Sequence, residues 1–163
     1  MKLVRLGHYQ IWADDLIREI ILKLSKEEFM EKIIPENASV RDLCIHIVIS
    51  IEFNIRKWIE KEEVNPDELY EELYSLSKEK LLQRWKEADE CLLENMKKRE
   101  KPIEFLNFLT EELFTIDRND FFLQYITHTV YHRGQLMSAL KNLGKEGITT
   151  DYLFYLFELD KNK

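Results

Sequence analysis

The stretch from Val40 to Trp58, "VRDLCIHIVISIEFNIRKW", places apolar side chains on almost every side of any helix it could form. A helix that is apolar all round has to be covered from more than one direction. Its most apolar part, "LCIHIVISI" at 43 to 51, is far shorter than the roughly 20 residues a membrane-spanning helix needs. The cover must therefore come from other helices or from another chain. At 100° per residue, one narrow polar track runs through this surface, formed by His46, Ser50 and Asn54 at successive four-residue steps. His46 is thereby expected on the only inward polar stripe of a buried helix.

The rest of the chain supplies partners of the same kind. Only four glycines and three prolines occur in 163 residues, with 45% hydrophobic and 34% charged residues, a balance that suits long helices rather than turn-rich sheets. Helix one is expected over 3–24, where Tyr9, Trp12, Ala13, Leu16, Ile20 and Leu24 recur at three- and four-residue steps. It is followed by a connection over 25–38 containing Pro35. Ser39 with Asp42 three residues later nearly matches a capping box and starts helix two, over 40–61. A charged crossover at 62–76, with room for a short helix, leads to Ser77 as the cap of helix three, 78–98. Residues 99–118 read equally as a strand, because Ile103, Phe105, Asn107 and Leu109 alternate, or as a helix over 104–114. Helix four covers 119–143 and stops at Gly144, a residue suited to the left-handed conformation that ends helices.

A last short segment, capped by Thr149 or Thr150, is expected to pack Leu153, Phe154 and Phe157 onto the bundle. The fold class is thus all-α: a four-helix bundle with long crossover connections, one domain over 1–157 and a frayed tail at 158–163. The apolar circumference of helix two further suggests a homodimer through helices one and two.

The formal charge of −7 is spread along the chain. Such a field repels phosphate backbones and anionic headgroups, so neither nucleic acid nor membrane is an expected partner. The beginning, "MKLVRLGHYQIW", shows neither the apolar run nor the cleavage site of a signal peptide, and a cytoplasmic protein is expected. Cys44 and Cys91 lie on apolar helix positions outside any C-x-x-C pair and read as reduced thiols acting as small hydrophobes.

Helix four carries the chemistry. His128 and His132 are four residues apart, about 40° apart around the helix, at one edge of its apolar arc. An H-x3-H pair can hold one ion through both rings, because side chains at i and i+4 overlie each other. The same spacing also fits an exposed pair or a satisfied core pair. Thr129 stands where a zinc-protease helix would have glutamate, which disfavours peptide hydrolysis. His46 offers a third imidazole from the other helix. Three neutral imidazoles with an open fourth position make a divalent-metal site of the catalytic type, with zinc first and nickel or another late transition ion as alternatives. His8 projects beside Asp15 and Glu19 and is expected at the surface or paired with a carboxylate.

Arg133 falls inside the apolar arc, so its guanidinium must be paired. Asp42, Asp117 and Asp151 are the candidate partners in a structural role, with anionic-substrate binding as the alternative. Gly134 in mid-helix suggests close approach of another backbone. Gln135, one turn from the histidines, is either a hydrogen-bond partner of a ligand or an exposed side chain.

The segments "HTVYHRGQLMSALKNLG" and "SVRDLCIHIV" resemble those of the DinB-like (DinB/YfiT) metal-binding four-helix bundles, and "GHYQIWADDLI" is similar to that family's first helix. The resemblance spans nearly the whole chain, with "HRGQL" its most specific part. It implies that His46 joins His128 and His132 in binding a divalent metal. It also implies two functional readings. One is a metal-dependent enzyme, either a transferase of the kind that joins a low-molecular-weight thiol to a small electrophile or one like the related mycothiol-dependent isomerase, with hydrolysis by a metal-activated water as the chemical variant. The other is a non-catalytic metal-binding or stress-response bundle.

Overall fold

A computed structural model describes residues 2–33, 38–98, 101–107 and 110–161. Four long helices form the bundle: α1 (Lys2–Leu22), α3 (Val40–Asn54), α5 (Lys78–Lys97) and α6 (Arg118–Asn142). Around its axis α1 lies beside α5 and α6, and α3 lies beside the same two from the opposite side. The three shorter helices are α2 (Lys26–Met30), α4 (Pro66–Ser75) and α7 (Tyr152–Lys161).

Local chemistry sets the helix ends. At the start of α3 the Ser39 hydroxyl accepts from the Asp42 N–H at 3.2 Å while the Asp42 carboxylate accepts from the Ser39 N–H at 2.7 Å. That is the full reciprocal box, which satisfies two donors the helix would otherwise leave open. Ser77 caps α5 in the expected place. At the end of α6, Gly144 adopts φ +72°. The Lys145 and Gly144 N–H groups donate to the Leu140 and Lys141 carbonyls, each at 3.0 Å, closing a Schellman motif. One start differs from expectation: α7 begins at Tyr152, after Asp151 rather than after Thr149 or Thr150, and the Thr150 carbonyl instead accepts from the Tyr9 hydroxyl at 2.9 Å.

The apolar circumference of α3 is covered within the chain. Val40, Cys44, Ile45, Ile47, Val48 and Ile51 are fully buried or nearly so, against α5 and α6 on the bundle side and α2 and α4 on the other. Helix α2 was not anticipated. It occupies the connection at 25–38 and is held by its own capping box between Ser25 and Glu28; Pro35 lies outside the described residues.

Helix two, expected to run to 61, leaves α geometry early. Residues Ile55–Ile59 form a π-helical turn, in which the Glu60 N–H donates to the Ile55 carbonyl at 3.0 Å. Pattern alone misses this turn, since Ile55 and Trp58 are buried in it as they would be in an α-helix.

Residues that read both ways, 99–118, contain a β-hairpin. β1 (Ile103–Leu106) pairs antiparallel with β2 (Leu113–Ile116), in the register Ile103 to Ile116 and Phe105 to Phe114. The alternation seen in the sequence was the valid signal; Leu109 lies outside the described residues. The hairpin packs Phe105 against Trp58 and Phe121 and adds a small sheet to an otherwise helical fold.

Helix α7 uses a different face from the one expected. Leu153, Phe154 and Phe157 are exposed, whereas Tyr155 is buried with Tyr9 and Ala13, and Tyr152 and Leu156 pack against them. Three tyrosine rings, those of 9, 152 and 155, make this contact with centroids 5.2 to 5.9 Å apart. The helix continues to Lys161, past the expected limit at 157.

Candidate metal centre

His46 projects from the second turn of α3, and His128 and His132 from the middle of α6. Their side chains converge across the groove between the two helices, so that one nitrogen from each lies within 4.8 Å of the others. The His46 and His128 Nε2 atoms are 3.2 Å apart. Ring centroids are separated by 4.4 Å for His46 and His132, 4.4 Å for His128 and His132, and 5.2 Å for His46 and His128. Donors bound to one tetrahedral ion at about 2.0–2.1 Å sit roughly 3.3 Å from each other, so the 3.2 Å separation matches a pair of ligands sharing an ion.

The hydrogen bonds select which nitrogens face the shared point. His132 Nδ1 is 2.6 Å from Gln135 Oε1. An amide oxygen only accepts, so Nδ1 carries a proton, and the nitrogen left to offer a lone pair to a metal is Nε2. Gln135 is itself held by a hydrogen bond from its Nε2 to the Tyr131 hydroxyl at 3.3 Å. The exposed-side-chain alternative for Gln135 is thereby replaced by an orienting role. Tyr131 escaped the sequence reading; its spacing, one helical turn before Gln135, was the available signal. Ser50, from the polar track of α3, donates to the His46 carbonyl at 2.7 Å and lies 3.1 Å from His128 Nε2.

Electrostatics keep the cluster ready for a cation. Burial, followed by the neighbouring imidazoles His132 and His46, pushes His128 down to about 4. Burial and His132 also lower His46. Both rings are therefore neutral at pH 7, the form in which imidazole binds metal.

Exposure differs from expectation at one point. His132 is buried and His128 half-buried, but His46 is exposed rather than enclosed, because it lines an open pocket between α3, α4 and α6. Two pockets meet at the histidines. The first, about 660 Å³, is lined by His128 and Ser50 together with the hairpin; the second, about 440 Å³, is lined by His46 and His132 together with Tyr70 of α4. Among the described residues no further His, Cys, Asp or Glu joins the group. Three imidazoles in an open groove fit a divalent ion with a position left for an exchangeable ligand.

Arg133 is not part of this centre. It turns into the core, 2% exposed, where its guanidinium donates to Asp14 of α1 at 2.8 Å and to the Tyr9 hydroxyl at 3.3 Å. None of the three expected carboxylates is its partner. Asp42 caps α3, Asp117 caps α6 through the Asn119 N–H, and Asp151 precedes α7. Asp14 lies on the α1 face that also buries Ala13 and Ile17. Burial raises its carboxyl, Asp89 adds to this, and Arg133 and Arg18 pull it back. Nearby, Arg18 and Gln10 both donate to Asp89, tying α1 to α5. At this depth Arg133 has no access to an anionic substrate, which leaves its structural role.

Gly134 is exposed, and nothing lies within 4 Å of where its Cβ would be, so the expected close approach does not occur there. The tightly packed glycine is Gly7, which faces side chains of α5 and not another backbone: its Cβ would sit 2.8 Å from Met96 Sδ and 2.9 Å from Leu93 Cδ1. His8 is exposed on α1, outside the histidine cluster. Cys44 is buried and free, its thiol pushed up by burial, and Cys91 is half-buried and free.

A helical bundle with three histidines from two facing helices, open on two sides, defines a class of helical-bundle proteins with a candidate divalent-metal site. Within it, the chain belongs to the DinB family, whose family model matches residues 2–161. No curated protein matches the chain. Its fold is similar to the crystal structure of a protein from Exiguobacterium sibiricum 255-15 assigned to the DinB family, with a TM-score of 0.69 and 16% identity, covering 91% of this chain and 97% of that one.

Proposed function

We propose that this protein is a divalent-metal-dependent transferase that joins a low-molecular-weight thiol to a small electrophile, with His46, His128 and His132 holding the ion. Zinc is the first candidate, and nickel or another late transition ion the alternative. The observation that carries the reading is the convergence of three imidazoles with no fourth protein ligand among the described residues, in a groove that opens into pockets on two sides. A structural zinc site is closed by four protein ligands, whereas one that keeps an open position can accept a reactant.

When bound, a divalent ion supplies Lewis acidity, lowering the pKa of a thiol or water brought to it. The chain's own contribution is placement. Gln135 fixes the tautomer and plane of His132, Tyr131 fixes Gln135, and Ser50 lies against His128. In the transfer, the thiol loses its proton to solvent, its sulfur bonds to the electrophilic carbon, and the leaving group departs with the electron pair of the broken bond.

Elemental analysis of untagged protein beside His132→Ala tests the first half: stoichiometric metal in the former and its loss in the latter are expected. A screen of thiol and electrophile pairs on the metal-loaded form tests the second. Turnover that disappears with the metal supports the transferase. Metal bound without turnover on any pair supports instead the non-catalytic metal-binding or stress-response protein.

A further inference from the structure

The pocket of about 660 Å³ on the hairpin side has a composition that the metal-binding reading does not use. His128 and Ser50 line it on the histidine side. The rest of its wall is largely apolar and aromatic, with Phe105, Phe114 and Ile116 from the hairpin and Leu123 and Tyr125 from α6, beside the neutral polar side chains of Asn54, Gln124 and Thr127. Phe105 and Phe114 meet edge to face with centroids 5.8 Å apart. Phe114 and Leu123 are 45% and 41% exposed at its mouth, two large apolar side chains that an occupant would cover. The volume lies within the range of small-molecule sites, roughly 300–1,000 Å³.

The charges narrow the class of occupant. Among the described residues no lysine or arginine lines this pocket, and the one carboxylate that does is Asp120, at the start of α6. A carboxylate or phosphate entering its body would lose hydration without gaining a cationic partner, and would face Asp120 as well. An uncharged ring meets neither cost.

We propose that this pocket binds the body of an uncharged aromatic reactant, directing its reactive end toward His128. Resting on the transferase reading, this assigns the pocket to the electrophile and makes the hairpin a determinant of specificity. Thiols built on cysteine carry a carboxylate and are poorly matched to it.

The test uses two probes of nearly equal shape, acetophenone and benzoate, which share the ring and a trigonal substituent and differ in charge. Binding to the full-length chain is followed by ligand-observed NMR, both metal-loaded and after chelation, so that the pocket is read separately from the ion. Acetophenone is expected to bind the chelated protein at least about tenfold more tightly than benzoate. Phe114→Ser is expected to weaken acetophenone at least about fivefold, and Asp120→Asn to narrow the gap between the probes. Both side chains are exposed, and unchanged far-ultraviolet circular dichroism confirms that each variant folds.

Equal binding of the two probes, or acetophenone binding that survives Phe114→Ser and is lost in Tyr70→Ala on the other pocket, overturns the assignment. The two readings fail separately. Probe binding that depends on Phe114 in a protein retaining no metal leaves the pocket and removes the transferase. Metal-dependent turnover with a probe response indifferent to Phe114 does the reverse.

Discussion

His128 shows how much of the site's behaviour is decided by one side chain's surroundings. Its ring is pushed down to about 4 by burial and by the two neighbouring imidazoles, from an unfolded value near 6.5. A depressed histidine favours the fold when neutral. That contribution is complete above the unfolded value and is lost as pH falls from about 6.5 toward 4. The metal-free protein is thus expected to melt at progressively lower temperature across that window, and His128→Gln to flatten the profile; scanning calorimetry at pH 7, 5.5 and 4.5 checks both. Gln135 gives the second prediction at this scale. Because it holds the His132 proton at Nδ1, Gln135→Ala is expected to weaken metal binding by about 10–100-fold while leaving three ligands in place, as measured by competition with a chelating indicator. The three histidines of the candidate site were legible from the sequence because H-x3-H and a lone polar track both rest on helical periodicity. The exposure of His46 was not, since a helical wheel shows which face a residue takes and not whether that face is covered.

Between elements, the most deeply buried ion pair among the described residues is Arg133–Asp14, joining α6 to α1, both side chains essentially excluded from water. Asp14→Ala leaves the guanidinium buried without its carboxylate and is expected to cost about 3–5 kcal/mol, while Asp14→Leu combined with Arg133→Met recovers most of it. Urea denaturation of the single and double variants measures this. A tie that stays costly in the double variant would mean the pair's surroundings also depend on its charges. On the outer face of α6, Gly134 has empty space around it, so Gly134→Ala is expected to stabilise by about 0.5–1 kcal/mol through helix propensity alone. Sequence spacing identified Arg133 as buried but not its partner. That partner is 119 residues away on the first helix, and no local pattern encodes which of two inward-facing residues on different helices will meet.

For the molecule as a whole, α3 explains the order of packing: too apolar for one neighbour, it takes α5, α6, α2 and α4 around it. Among the described residues no helix is long and apolar enough to cross a membrane, in agreement with the reading of the 43–51 stretch. The homodimer remains a proposal, and because α3 is covered from within, it would have to form on other surfaces. Light scattering at micromolar concentration is expected to give twice the chain mass of 19.8 kDa; a value equal to the chain mass would remove it.

What the sequence determined by itself rests on periodicity and local capping: the four long helices, their ends at Ser39, Ser77 and Gly144, and the faces bearing His46, His128 and His132. These rest on contacts a few residues apart, so the order of side chains is enough to specify them. Only the tertiary structure decided which ambiguous segment became the hairpin, where α3 turned π-helical, which face of α7 was buried, and that two pockets meet at the histidines. Each of those depends on shape complementarity between segments far apart in the chain, a property that no single segment contains.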